Sequence, residues 1–247
     1  DAYPLGIQRA DAARVYLLHS VGGVYADLDF EAVGELHKAL GDAPLVLVPE
    51  PAAHTSLFGR RRPIISNAFM ASRPGHLFWE TVMEVMREKA NMTEKDAPGG
   101  TLAHVTTGPL MITEAFERYE LEVMKRHKRN ATWMRTNGVK VLPAETVFPV
   151  VDFTNPSVLR LCRERSGFSD GACNLEQLLK PPNTTVAIHQ WAHSWIPRSQ
   201  GKREELPLRA AVASGARATR LERAFRRAER LWGRHKSLEG AKALHHR

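Results

Sequence analysis

At 247 residues, with 43% apolar and 25% charged side chains, the chain has the composition of a globular protein large enough to bury a core. No run approaches the roughly 20 consecutive apolar residues of a membrane-spanning helix and no secretory signal opens the sequence, which starts at Asp1 and reads as a partial chain. The formal charge of +8 is confined to one end: residues 1–200 hold 22 Lys/Arg and 22 Asp/Glu, and residues 201–247 hold 13 and 5, so the body lacks the basic footprint of a nucleic-acid-binding domain.

From Leu5 to Val21, Ile7, Ala10, Leu17 and Val21 recur at helical spacing, and Gly22-Gly23 supplies the stop. Val24 to Phe30 reads as a strand, and Leu45 to Val48 as a second, buried one ended by Pro49. A helix carrying Phe78, Val82, Val85 and Met86 follows the Pro74-Gly75 turn, and Pro109 sits at the first turn of another that runs to about Lys128. Val139 to Leu142 and Thr185 to His189 complete the strand-like pieces. Strands alternating with helices predict an α/β fold with a largely parallel or mixed sheet over residues 1–200. Residues 201–247 form a basic tail in which Leu221, Phe225, Ala228 and Trp232 mark one face of a helix. That helix either packs on the body or serves a membrane surface or partner.

Three acceptor sequons begin at Asn91, Asn130 and Asn183, against about one expected by chance, and point to a luminal glycoprotein. The two cysteines, Cys162 and Cys173, are either a disulfide suited to an oxidising compartment or two separate buried thiols.

The chemistry concentrates between Arg9 and Glu31. On a strand, Asp27 and Asp29 project to one side with Leu28 turned into the core. Two carboxylates so placed make a hard-oxygen site for Mn²⁺ or Mg²⁺ shared with substrate phosphates, where a closed zinc cage would call for Cys or His. Upstream, Asp11 and Arg14 share a helix face, a pairing able to grip hydroxyls and phosphate oxygens.

The ordered set Asp11, Arg14, Gly22, Gly23, Tyr25, Asp27, Asp29 resembles the glycosyltransferases with the DXD sugar-binding motif. That group contains fungal initiating α-1,6-mannosyltransferases and inositol-phosphoceramide mannosyltransferases. Ser66-Asn67-Ala68-Phe69-Met70 before Pro74-Gly75-His76, then Thr107-Gly108-Pro109, then His189 with Ser194-Trp195 resemble further motifs of the group in the same order.

The resemblance implies a Rossmann-like nucleotide-diphospho-sugar transferase fold of the GT-A type with a mixed sheet. Its nucleotide-base-binding N-terminal part would lie outside this chain, as would its membrane anchor. It implies a retaining enzyme that takes a hexose, mannose above others, from GDP-mannose or a UDP-sugar to a glycan or glycolipid, in the Golgi lumen as a type II membrane protein. Asp29 would hold the metal directly. Asp27 would touch the metal through water, or the ribose. Asp11, Arg14 and Asn67 would hold the donor sugar, and Ser194 and Trp195 would close over the diphosphate. His189 is either a group supporting the metal or phosphate, or a core histidine. Thr107-Gly108-Pro109 is either a helix-start turn or a ligand contact.

Phe30 and the run Arg60-Arg61-Arg62 fall outside the motif, the arginines reading as an acceptor-side loop or a solvated turn. Two rivals stand beside this reading: a glycan- or nucleotide-sugar-binding protein that has lost turnover, and an Asp-x-Asp phosphohydrolase. The phosphohydrolase expects Thr or Val where Glu31 stands.

Overall fold

The structure, a computed structural model, describes residues 3–97, 101–164, 171–174, 177 and 180–192. Helix α1 (Gly6–Ser20) leads into β1 (Gly23–Ala26) and β2 (Phe30–Ala32). There follow α2 (Leu36–Leu40), β3 (Leu45–Pro49), α3 (Ala52–Leu57), β4 (Ile65–Ser72), α4 (Phe78–Lys89), α5 (Leu102–Thr106) and α6 (Pro109–Tyr119). A π-helical stretch, Glu120–Met124, joins α6 to α7 (Lys125–His127), so the helix expected to reach about Lys128 does so with a bulge near its end. Helix α8 (Ala131–Asn137), β5 (Val139–Val141), α9 (Pro156–Glu164) and β6 (Ala187–His189) complete the order. The basic tail from 201 lies outside the described residues, as do Ser194 and Trp195.

Four strands form one sheet in the order β1-β4-β3-β5, and β2 pairs with β6 in a second. The larger sheet is mixed: β4 is antiparallel to both β1 and β3, and β5 runs parallel to β3. Its apolar strands are continuous because both faces are covered. Leu45, Leu47 and Met70 face α1, α4 and α6 with Val15, Leu18, Trp79 and Tyr119; Val46, Val48, Phe69 and Ala71 face Phe148 and Trp191. Ser66 and Asn67, polar and buried, follow Ile65 at the start of the all-buried β4.

Helix α1 buries a face that the expected apolar stripe does not mark. Gln8, Asp11, Arg14, Val15 and Leu18 point inward, whereas Leu17 and Val21 of the expected stripe are 55% and 71% exposed. Gly22, at φ +71°, takes the C-terminal left-handed position and donates to Leu17 O and Leu18 O. A disulfide joins Cys162 of α9 to Cys173. Asn91, Asn130 and Asn183 are exposed, and the Asn130 side-chain oxygen accepts from Trp133 N at the start of α8. Arg60 and Arg62 pair with Glu117 and Glu120, pinning the arginine run to the end of α6. Among the described residues no helix is long and apolar enough to cross a membrane.

Candidate active site

The strand expected over Val24 to Phe30 is broken in its middle. β1 ends at Ala26, and Asp27 to Asp29 form a turn closed by Phe30 N donating to Asp27 O at 3.2 Å. Leu28 is therefore fully exposed at the turn's tip, where strand alternation would have put it in the core. The carboxylates converge because the two ends of the turn are tied to different sheets. Asp27 N donates to Ala68 O of β4 at 2.9 Å, and Asp29 O accepts from Gln190 N, just past β6, at 2.9 Å.

His189, the last residue of β6, completes the group. Its Nε2 lies 3.1 Å from Asp29 Oδ1, and ligand atoms of Asp27, Asp29 and His189 all fall within 4.8 Å of one another. The His189 ring is buried against Phe30, Phe148 and Trp191. Asp29 Oδ2 accepts from Ala192 N at 2.8 Å. Burial by itself would raise the Asp29 pKa, but the His189 hydrogen bond and charge, with the Ala192 amide, outweigh it and hold the carboxyl below the usual range.

Asp27 is held from the other side. Tyr25 donates to Asp27 Oδ1 at 2.6 Å, and Arg14 Nη1 lies 3.2 Å from the same oxygen. Both contacts fall on Oδ1 and leave Oδ2 for a ligand. Arg14 stacks over the Tyr25 ring at 4.3 Å and donates to Asn67 O at 2.8 Å. Burial and the bond to Asp27 push the Tyr25 hydroxyl pKa up.

Beneath this layer lies Asp11, 3% exposed. Arg14 Nη2 is 3.1 Å from its Oδ1, to which Asn67 Nδ2 donates at 2.9 Å, and Thr107 Oγ1 donates to Oδ2 at 2.8 Å. Burial raises its carboxyl to about 6, working against the Arg14 charge and the Thr107 and Asn67 hydrogen bonds. The Thr107-Gly108-Pro109 turn starts α6, with Gly108 at its cap and Pro109 in its first turn. A Cβ on Gly108 would lie 2.9 Å from Ala103 O, so the turn accepts no larger residue without a shift, and Thr107 reaches Asp11 from it.

The structure thus brings Asp11, Arg14, Asn67, Asp27, Asp29 and His189 into one connected cluster, with Ser194 and Trp195 outside the described residues. Two contributors carried no assigned role in the sequence, Tyr25 and the chain at Gln190 to Ala192; Thr107, expected in a helix-start turn or at a ligand, stands in the helix-start turn and donates to Asp11. Tyr25 stood inside a motif, which was signal enough to single it out. Backbone amides leave no mark on a sequence.

Residues 1–46 match the family model described as the glycosyltransferase sugar-binding region containing DXD motif. Inositol phosphoceramide mannosyltransferase 2 of Schizosaccharomyces pombe is 32% identical over 127 residues, 50% of this chain and 32% of its own. Mannosyl phosphorylinositol ceramide synthase of Saccharomyces cerevisiae is 33% identical over 120 residues, 48% of this chain and 28% of its own. Lactosylceramide 4-alpha-galactosyltransferase of Pongo pygmaeus is 25% identical over 207 residues, 83% of this chain and 74% of its own. The chain spans about a third of the length of the fungal relatives it matches. No solved structure matches.

Proposed function

We propose that this chain, which carries the sugar-binding region of the DXD-motif glycosyltransferases, is the catalytic part of a divalent-metal-dependent hexosyltransferase of the GT-A type. It moves mannose from a nucleotide donor to a glycan or glycolipid acceptor with retention of anomeric configuration. The single observation that carries the reading is the convergence of Asp27, Asp29 and His189 within 4.8 Å, beside the buried Asp11–Arg14–Asn67 cluster. Glycolipid acceptors fit the relatives, whose names are those of a phosphoceramide mannosyltransferase and a lactosylceramide galactosyltransferase. A luminal Golgi site, with a membrane anchor outside this chain, fits the Cys162–Cys173 disulfide and the three exposed sequons.

Two carboxylates and one imidazole are a donor set that suits Mn²⁺ better than the all-oxygen preference of Mg²⁺. Asp29 and His189 would supply ligands from the β6 side, His189 Nε2 exchanging its hydrogen bond to Asp29 Oδ1 for the ion, and Asp27 Oδ2 would supply one from the β1 side. Asp29 retains a lone pair on each oxygen beyond its present bonds. A divalent ion bound there supplies Lewis-acid stabilisation of the departing diphosphate.

The protein's own part is positional. Arg14 and Tyr25 fix the Asp27 carboxylate, the Ala192 amide fixes that of Asp29, and Asp11 orients the Arg14 guanidinium that would face the donor. Ser194 and Trp195 would add donors toward the diphosphate. Retention would follow from front-face attack by the acceptor hydroxyl, without an obligatory enzyme nucleophile.

Asp29→Ala is expected to abolish Mn²⁺-dependent sugar transfer from GDP-mannose by the full-length protein while leaving cooperative unfolding intact. Full activity in that variant would sink the assignment. Mn²⁺-dependent donor binding by the wild type without turnover would favour the inactive sugar-nucleotide-binding rival.

A further inference from the structure

Past β6 the chain turns at Trp191, which among the described residues is the one non-glycine with a positive φ, 53°. That conformation is costly for a bulky side chain and persists only where the surroundings over-determine it. The surroundings of Trp191 do so. Its Nε1 donates to Val150 O at 3.1 Å, and its ring packs edge-on against His54 at 4.6 Å and His189 at 4.3 Å, and against Phe148 at 5.5 Å.

His54 is itself locked at both ring nitrogens. Asp152 N donates to Nε2 at 2.9 Å, so the ring proton sits on Nδ1, where it is given to Glu50 Oε2 at 3.0 Å. Glu50 follows the end of β3, and His54 stands one turn later in α3. A rigid strand end is thereby linked through two rings to the turn. On either side of Trp191, Gln190 N donates to Asp29 O and Ala192 N to Asp29 Oδ2, while the His189 ring that Trp191 abuts faces Asp29 Oδ1.

We propose that Trp191 is the positioning residue of the carboxylate–imidazole site, and that the Glu50–His54 pair is its anchor. The clamp holds the left-handed turn so that the Ala192 amide and the His189 imidazole meet the Asp29 carboxylate while the Gln190 amide ties down the Asp29 backbone carbonyl. Its link to metal binding rests on the function proposed above. Its effect on the turn does not. Outer contacts that orient metal ligands commonly change affinity by 10- to 100-fold when removed.

The test combines two readouts on the full-length protein: amide hydrogen exchange at Gln190 and Ala192 without metal, and the Mn²⁺ dissociation constant by calorimetric titration. Trp191→Ala is expected to lose protection at Ala192 while β3 and β4 stay protected, and to weaken Mn²⁺ binding about 10- to 100-fold. A folded Trp191→Ala with wild-type protection and wild-type Mn²⁺ affinity overturns the proposal. Should that variant fail to fold, Trp191→Phe decides by the same readouts, since it keeps a ring but cannot donate to Val150 O. Reduced protection at Ala192 with weaker Mn²⁺ binding supports the clamp, and wild-type values for both overturn it. If the wild type binds no Mn²⁺, the metal reading of the site falls, and protection at Ala192 alone decides the clamp.

Discussion

Asp11 lies beneath the site, with both carboxylate oxygens engaged by Arg14, Asn67 and Thr107. Its burial makes the fold sensitive to pH in a defined direction. In the unfolded chain the group ionises near the ordinary value of about 3.9, and in the fold at about 6. Between those values the folded state holds the additional proton. Its contribution to stability therefore falls as pH rises from about 4 to about 6 and is level above. Asp29 has the opposite sign in a different window: its depressed folded pKa adds stability above its unfolded value of about 3.9, lost as pH falls below that. Asp11→Asn is expected to flatten the pH dependence between about 4 and 6, as read from urea midpoints of variant and wild type at several pH values. Parallel profiles would contradict the assignment of that proton to Asp11.

At the scale of elements, the Gly22-Gly23 pair shows how much one position can carry. Gly22 caps α1 and packs against the chain leaving β4: a Cβ there would lie 2.7 Å from both Pro74 N and Ser72 O, which are backbone atoms. Gly23, at φ +99°, has nothing within 4 Å of where its Cβ would be. Gly22→Ala should combine left-handed strain with a clash and cost about 2 to 4 kcal/mol, whereas Gly23→Ala should cost about 1 to 2 kcal/mol from conformation alone. Chemical denaturation of the two variants checks the order, and equal losses would refute it.

The sequence marks both glycines as a helix stop but not the close approach of Ser72 and Pro74, about fifty residues on. Legibility follows the same line elsewhere. β3 is readable because both its faces are covered, so Leu45 to Val48 run apolar without a break. The buried face of α1 is not, because Gln8, Asp11 and Arg14 are inside to serve one another and the site, while Leu17 faces out. The Asp-x-Asp pair is legible as chemistry and misread as strand geometry, since the turn is fixed by Ala68 and Gln190, partners distant in sequence. His189 stands out only by motif order. No spacing rule puts it 3.1 Å from Asp29, and none forecasts the left-handed Trp191.

Across the whole molecule, the Asp27–Asp29 turn is a joint between two sheets. Asp27 is tied to β4 of the four-stranded sheet, and Asp29 and His189 belong to the β2–β6 side. An ion held by all three residues would cross-link the two sheets in the native state and find no such site in the unfolded chain. Its binding free energy then adds to folding stability. At a free Mn²⁺ concentration about 100 times the dissociation constant, the gain is about 2.7 kcal/mol. For a chain of this size that corresponds to a rise in Tm of about 5 to 10 °C. Calorimetry with Mn²⁺ against chelator is expected to show that rise in the wild type and none in Asp29→Ala. The rise should also depend on Mn²⁺ concentration with the logarithmic form of a single site. A Tm indifferent to Mn²⁺ in the wild type would mean that the three residues meet without holding an ion, and the proposed chemistry would lose its centre.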